Sequence, residues 1–448
     1  MKALSAEWMK LMRNNAINSL YSEMDIKLET TRGYYNPSFL KLTVNADCDL
    51  SNLNLLNKAH FSTFYHEYIH FLQDLTTTFG VTNAAIIANR LRFYNEQFRN
   101  SPDQFVKVKI PLIDQNGANS KLNAELQNLY QGTGNLRVGV QDLHILSVAI
   151  CDSNIFLPDP FSKYAKGVRV CIDLNGSTET LQFGGICILE NIAHILQEKF
   201  FGETHHPSWP YKAAEYVALH IHPQFASSLE NVLALCEASL MSMHSGETFV
   251  SMLEIMKAQK YLPENASDVY DFVLRNVSAD SKSLIEIFQF QAKKAKELLG
   301  GYFTTDVYLA EKKWLDEILS QGESIRLKNL GLFLEMFRQH TMPSAKFIEV
   351  FGKLGTPFMM NINGDAWFHP PQAITQENIQ PDRLAAIMEI FNLFENGTNK
   401  CDLKHFCMIN VNVDERCNCS PWKRWNDSQV CAYGALWKTW GLFEKEPI

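Results

Sequence analysis

The sequence predicts a mainly helical α+β fold, in which a small N-terminal sheet precedes a long helical region. From residue 185 onward, apolar positions recur with helical periodicity that is broken at Pro263, Gly300 and Gly322. Before residue 185, short alternating segments are typical of strands. Apolar residues make up 46% of the chain and charged residues 20%, as in globular proteins. With 448 residues, the chain should form two or three subdomains.

Local patterns then predict the individual elements. In chain order they begin with a helix over 1–20, strands over 25–30 and 38–44 joined by a turn over 32–37, helices over 60–80 and 82–99, and a strand over 105–113. A polar, mostly irregular insertion with some helical content follows over 115–134, and then a hairpin of strands 168–174 and 179–183. The remaining elements are helices over 186–200, 211–222 and 225–243, four or five helices between 248 and 338, a loop-rich span over 353–381, and a helix over 382–395.

Charge and cysteine usage narrow the choice of partners and compartment. The net charge of −8 and the pI near 5.9 provide no global basic field for nucleic acid or for an anionic membrane. No segment reaches the roughly 18 uninterrupted apolar residues of a membrane span, and the first 20 residues lack the pattern of a signal peptide. The ten cysteines do not form a disulfide scaffold. We therefore expect a cytoplasmic protein with no nucleic-acid or membrane partner.

The most informative stretch is His66-Glu67-Tyr68-Ile69-His70, within the predicted helix 60–80. Two histidines four residues apart lie on the same helix face, one turn apart, so both imidazoles can reach a single ion. The carboxylate of Glu67 would lie beside that ion, where it can take a proton from a metal-bound water. The H-E-x-x-H pattern is short, and a buried, hydrogen-bonded histidine pair is the alternative interpretation.

A second stretch supplies a third candidate ligand. Glu190 and His194 are spaced i, i+4 on the predicted helix 186–200, whose other positions are mostly apolar. An ionised carboxylate on such a face is costly unless it is paired or bound to a metal. We therefore expect Glu190 to be the third ligand, and His194 to support the site or to replace Glu190 on the metal.

These two helices resemble those of the zincin metallopeptidases, and within them the gluzincin pattern, in which a glutamate on a later helix completes H-E-x-x-H. The resemblance implies that His66, His70 and Glu190 bind one catalytic Zn²⁺ and that Glu67 is the general base. Where that pattern often has an acidic residue, four positions after the ligand glutamate, this chain has His194. The resemblance covers two helices and identifies no particular family.

Several polar residues near these stretches are candidates for supporting roles. Gln73 follows His70 by three residues, and Gln197 follows His194 by three, so each amide could contact its histidine or simply pack. A donor to the developing oxyanion is expected in the segment 202–222. The candidates there are His205, His206, Tyr211, Tyr216 and His220.

The C-terminal tail is rich in cysteine and tryptophan. Cysteines and one histidine crowd into about 30 residues in a pattern that can bind a second, structural zinc. The residues concerned are Cys401, His405, Cys407, Cys417, Cys419 and Cys431. Their spacing matches no standard C-x₂-C pair, which favours the alternative of buried thiols in an aromatic cap.

The pattern as a whole predicts a zinc metallopeptidase that hydrolyses a peptide bond of a protein or peptide substrate. We expect residues 1–245 to form the zincin-like core, 246–395 a helical bundle and 396–448 a Cys/Trp-rich cap. One alternative is a zincin-like interaction protein without catalysis. Another is a di-iron carboxylate protein, for which Glu67 and His70 provide one E-x-x-H but the chain has no second in a suitable helix. A regulatory partner is compatible with the sequence.

Overall fold

The computed structural model describes residues 33–101, 107–112, 118–134, 143–152, 165–174, 176–204, 206–279, 281–410 and 413–448. The predicted helix over 1–20 and the predicted strand over 25–30 lie outside these residues. Within them the fold is mainly helical α+β, which confirms the fold class predicted from the sequence.

Helices account for most of the described residues. In chain order the α-helices are α1 (Lys58–Thr76), α2 (Thr78–Arg99), α3 (Ala118–Gln131), α4 (Gly185–Phe201), α5 (Ser208–Tyr211), α6 (Ala213–Ile221), α7 (Pro223–Ala226), α8 (Leu229–Ser239), α9 (Ser245–Ala258), α10 (Asp268–Asn276), α11 (Leu284–Gly300), α12 (Leu309–Lys328), α13 (Leu332–Phe337), α14 (Ala345–Leu354), α15 (Asp382–Asn396), α16 (Lys404–Asn410), α17 (Arg416–Cys419) and α18 (Ala432–Thr439).

The strands form four small sheets within the described residues. They are β1 (Gly33–Asn36), β2 (Lys41–Val44), β3 (Lys107–Val108), β4 (His144–Asp152), β5 (Lys166–Leu174), β6 (Ser177–Phe183), β7 (Ser278–Ala279), β8 (Lys282–Ser283), β9 (Phe358–Asn361), β10 (Ala366–Trp367) and β11 (Glu446–Pro447). The sheet orders are β1-β2-β9-β10, β4-β5-β6, β3-β11 and β7-β8.

The described residues fall into two compact units. One unit comprises Gly33–Asn123, Gln289–Ile325 and Ala345–Ile448, and it contains the four-stranded sheet. The other comprises Ala124–Phe288 and Arg326–Ser344, and it contains the three-stranded sheet.

The four-stranded sheet packs against α1 through β1 and β2. Its first strand lies in the segment that the sequence pattern predicted to be a turn, and that prediction was wrong. Tyr34 and Tyr35 pair with Thr43 and Leu42 of β2, because aromatic residues suit a half-buried strand, and the turn follows at residues 37–40. The last two strands, β9 and β10, lie in the span predicted to be rich in loops. Such short strands have too few residues to show an alternating pattern.

Helix α1 ends at Thr76, so the predicted single helix over 60–80 is two helices. Thr77 has extended backbone angles, and its hydroxyl accepts a hydrogen bond from the Gly80 amide at 3.0 Å. This side-chain cap starts α2 and satisfies one of its free amide groups. The sequence pattern missed the break because the segment contains neither Gly nor Pro up to Phe79. The H-E-x-x-H residues all remain within α1.

The second unit contains the predicted hairpin and the helix that carries Glu190. Strands β5 and β6 pair in antiparallel register from Val168↔Phe183 to Leu174↔Ser177, which confirms the hairpin. Strand β4 joins them on the other side and was not predicted. Helix α4 follows β6 directly and packs against α6 and α8. Its buried face contains Ile188, Ile192 and Leu196, which fixes the orientation of the helix.

No helix among the described residues is both long enough and apolar enough to cross a membrane.

Candidate metal centre

His66 and His70 lie one turn apart on α1 with their Nε2 atoms 3.2 Å apart. The two rings meet edge to face, with centroids 4.9 Å apart. His66 is 5% exposed, and the surrounding residues Tyr65, Tyr68 and Ile69 are fully buried. The apolar surroundings fix the position of α1, and the Nε2 atoms of His66 and His70 point towards each other.

Gln73 sets the orientation and the tautomer of His70. Its Oε1 lies 2.8 Å from His70 Nδ1, and a carbonyl oxygen can only accept a hydrogen bond. The proton of His70 is therefore on Nδ1, and its Nε2 carries the lone pair. An orienting contact of this kind, on the nitrogen remote from the ligand position, is typical of metal-binding histidines. The sequence suggested this contact for Gln73 as one of two interpretations.

Glu190 completes a group of three potential ligands. One ligand atom from each of His66, His70 and Glu190 lies within 4.8 Å of the others. Within the part of the chain that the structure describes, no other set of three or more His, Cys, Asp or Glu side chains meets this spacing. These are the three residues that the sequence analysis selected, and their binding of a metal ion stays a prediction.

The spacing of the two imidazole nitrogens fits a tetrahedral zinc ion. Zn–N bonds of about 2.0 to 2.1 Å place two ligand nitrogens of a tetrahedron about 3.3 Å apart. The observed separation of the two Nε2 atoms, 3.2 Å, is close to that value. Two imidazoles and one carboxylate are also the donor set of many catalytic zinc sites, which keep a fourth position for water. A direct hydrogen bond between the two Nε2 atoms is the alternative, and it requires a proton on His66 Nε2.

Glu67 is buried on α1 beside strand β1, with 8% of its surface exposed. A Cβ atom at Gly33 would lie 2.6 Å from Thr63 Cγ2 and 3.4 Å from Glu67 Cγ. Any side chain at position 33 would therefore clash with Thr63 and would reach Glu67 at an ordinary contact distance. Strand β1 thus approaches α1 closely at Thr63, one turn before Glu67.

Asp74 was not selected from the sequence, although it holds α1 against the sheet. Its Oδ2 accepts hydrogen bonds from the Tyr35 hydroxyl at 3.0 Å and from the Ser38 amide at 2.7 Å. Burial raises the pKa of Asp74 to about 6, while those hydrogen bonds, and His70 when its ring is protonated, oppose the shift. The sequence contains a signal by which Asp74 could have been selected, because a carboxylate one turn after His70 on an apolar helix needs partners. Its contacts fix the end of the helix that carries the histidines.

His194 lies one turn after Glu190 on α4 and is 1% exposed. Its Nδ1 is 3.2 Å from the Thr204 hydroxyl, and its Nε2 is 3.5 Å from Glu198 Oε1. Glu198 also accepts hydrogen bonds from the Thr204 amide and hydroxyl. His194 is not one of the three grouped ligands. Its Nδ1 lies within hydrogen-bond distance of Thr204, and its Nε2 forms an ion pair with Glu198 when the ring is protonated.

The other residues of the predicted donor segment lie in different surroundings. His206 packs on Tyr211 with ring centroids 4.2 Å apart, and it lies 5.6 Å from the ring of His194. Tyr216 is half-buried on α6, and His220 on the same helix is exposed. His205 lies outside the described residues. His206 and Tyr211, next to His194, are therefore the members of this segment grouped around α4.

The predicted structural-zinc residues of the tail separate into two classes. His405 and Cys419 are exposed, whereas Cys401, Cys417 and Cys431 are buried and Cys407 is partly buried. No three of these side chains meet the 4.8 Å spacing of the first site, within the residues described. The six-residue pattern named from the sequence is therefore not a single compact cluster.

Comparison of the chain with protein-family models, with curated proteins and with solved structures found no match. The chemistry of the candidate site is thus the basis on which a function can be proposed.

The hydrogen bond from His70 to Gln73 leads to a testable difference in zinc affinity. Gln73→Leu should weaken zinc binding by about 10- to 100-fold, because the ring of His70 loses its orienting acceptor. Gln73→Glu retains an acceptor oxygen and should bind zinc as tightly as the parent chain. Competition with a chromophoric chelator measures both. Equal affinities for Gln73→Leu and the parent would mean that the amide only packs. Gln197→Leu, in the matching position on α4, provides the comparison.

Proposed function

We propose that the chain is a zinc-dependent metallopeptidase in which His66, His70 and Glu190 hold the ion and Glu67 is the general base. The observation that carries the proposal is the convergence of these three ligand atoms within 4.8 Å, together with a carboxylate directly after the first histidine. A site that only stabilises the fold has no use for a base at that position. The resemblance to the gluzincin pattern supports the same assignment.

Each residue has a defined role in this proposal. When bound, Zn²⁺ lowers the pKa of a coordinated water and polarises the scissile carbonyl. Glu67 accepts the proton of the attacking water and delivers it to the leaving amine. Gln73 keeps the proton of His70 on Nδ1, so that Nε2 is free to bind. The carboxylate of Glu190 compensates part of the charge that the ion brings into a largely buried place.

The substrate class proposed is a protein or peptide. A cytoplasmic location is part of the same proposal, supported by the ten cysteines, which are all free thiols. Regulation of the chain by a partner remains a prediction. A zincin-like protein without catalysis is the first alternative, which the cleavage experiment separates from a peptidase. A di-iron carboxylate protein is the second alternative.

The direct test is chelator-sensitive cleavage. The purified chain, loaded with zinc, is incubated with a denatured protein mixture, and new N-termini are identified by mass spectrometry. We expect new N-termini that disappear when the ion is removed by a chelator and return when zinc is added. A zinc-loaded protein that produces none, or one whose cleavage persists without metal, would contradict the proposal.

A further inference from the structure

Glu389, in the middle of α15, has a buried carboxyl group with few hydrogen-bond partners. The residue is 1% exposed. Its Oε2 accepts a hydrogen bond from the Asp402 amide at 3.2 Å, whereas its Oε1 has no hydrogen-bond partner among the described residues. An ionised carboxylate in such surroundings is costly, and the neutral acid is favoured.

Glu389 lies where the C-terminal part of the chain packs on α15. We call residues 401–410 and 413–439, which contain α16, α17 and α18, the cap segment. Asp402, the donor to Glu389, is near its start. Helix α18 packs against α15, with the ring centroids of Phe394 and Trp437 5.9 Å apart. Opening the contact between α15 and the cap segment would therefore expose Glu389 to water.

Tyr433 of α18 is a second buried polar group at this contact. It is 2% exposed, and its hydroxyl has no hydrogen-bond partner within the part of the chain that the structure describes. Burial raises the pKa of Tyr433, and the negative charge of an ionised Glu389 raises it further. The contact between α15 and the cap segment is thus poorly suited to a negative charge.

The charged groups around Glu389 do not compensate its burial. Burial raises the pKa of Glu389 to about 7, the positive charge of Lys41 on β2 opposes the shift, and the charge of Asp402 adds to it. The titratable and charged groups that act on Glu389, or on which it acts, are Lys41, Lys400, Cys401, Asp402 and Tyr433.

We propose that Glu389 makes the packing of the cap segment on α15 dependent on pH. The segment packs on α15 when the buried carboxyl is neutral, and it opens more often when the carboxyl ionises, because the charge then gains water. The proposal concerns the C-terminal part of the chain and does not depend on the proposed peptidase activity.

The sign of the pH dependence follows from proton binding. The pKa of Glu389 is raised when the cap segment is packed and returns towards its ordinary value of 4.5 when the segment opens. The packed state therefore binds the proton more tightly, and packing weakens as the pH rises. Between about pH 5 and about pH 7 the equilibrium constant for packing should fall about tenfold per pH unit, and above that range it should fall no further.

Hydrogen exchange of the full chain tests this proposal. Mass spectrometry follows peptides of the cap segment between pH 5 and pH 8, with exchange rates corrected for their intrinsic pH dependence. We expect protection of these amides to fall about tenfold per pH unit up to about pH 7. Peptides from α8, in the other unit, should not show this loss. Constant protection of the cap segment, or an equal loss in α8, would overturn the proposal without any variant.

Two variants assign the effect to Glu389. Glu389→Gln replaces the carboxyl with a neutral group of the same shape, so protection of the cap segment should not change over this pH range. At pH 8 it should exceed that of the parent chain. Glu415→Gln, which removes an exposed carboxylate of the cap segment, should respond to pH like the parent. A Glu389→Gln chain that loses protection as steeply as the parent would contradict the assignment.

Discussion

Glu67→Gln should lower kcat/KM by about 10² to 10⁴-fold on any peptide that the chain cleaves, with zinc still bound. The amide cannot accept the proton of the attacking water, but none of the three proposed ligands has changed. The side chain is nearly isosteric, so the packing of α1 should persist. Initial rates and metal analysis of the same preparation provide the two readouts.

Two further variants serve as comparisons for Glu67→Gln. His66→Ala should lose zinc and activity together, because it removes a ligand and leaves the carboxylate of Glu190 without its cation. Glu96→Gln, an exposed carboxylate on α2, should change neither. If Glu67→Gln retained both zinc and full activity, the hydrolase interpretation would be wrong and the metal site would be structural.

The largest effect on stability is expected at Glu237 of α8. Its carboxylate and Arg326 are both fully buried and lie 2.5 Å apart, and Tyr270 donates to the same carboxylate at 2.6 Å. The Phe333 and Leu334 amides at the start of α13 also donate to it. One side chain thus pairs a buried cation and caps a helix.

Glu237→Leu should lower the free energy of unfolding by about 3 to 5 kcal/mol, because the buried guanidinium of Arg326 loses the carboxylate that it pairs with. Glu230→Ala on the same helix is the matched control. Its pair with Arg338 is exposed, so it should cost at most about 1 kcal/mol. Urea denaturation of the three proteins measures the difference. The double variant Glu237→Leu with Arg326→Leu should recover part of the loss, and equal losses for Glu237→Leu and Glu230→Ala would contradict this assignment.

Regular periodicity made the long elements predictable. The apolar pattern located α1, α4 and the β5-β6 hairpin, and with them the positions of His66, His70 and Glu190 on their helices. The i, i+4 spacing is a property of the helix itself, so the pairing of the two histidines needed no tertiary information.

The features that could not be predicted from the sequence depend on tertiary contacts. The break at Thr77 comes from a side-chain cap without Gly or Pro, and β9 and β10 are too short to show a pattern. In the sequence, Asp74 is only an acidic residue on a helix. Its role depends on the sheet, which places Tyr35 and Ser38 within hydrogen-bond distance of its carboxylate. The tail cysteines are equivalent in sequence, and only burial separates Cys417 from Cys419.

The central claim, that His66, His70 and Glu190 hold one zinc ion, is tested most directly by diffraction at the zinc absorption edge from crystals of the zinc-loaded chain. We predict an anomalous peak about 2.0 to 2.2 Å from both Nε2 atoms and from a carboxylate oxygen of Glu190. A zinc-loaded crystal in which the two Nε2 atoms are hydrogen-bonded to each other with no peak beside them, or in which His194 replaces Glu190 on the ion, would contradict it.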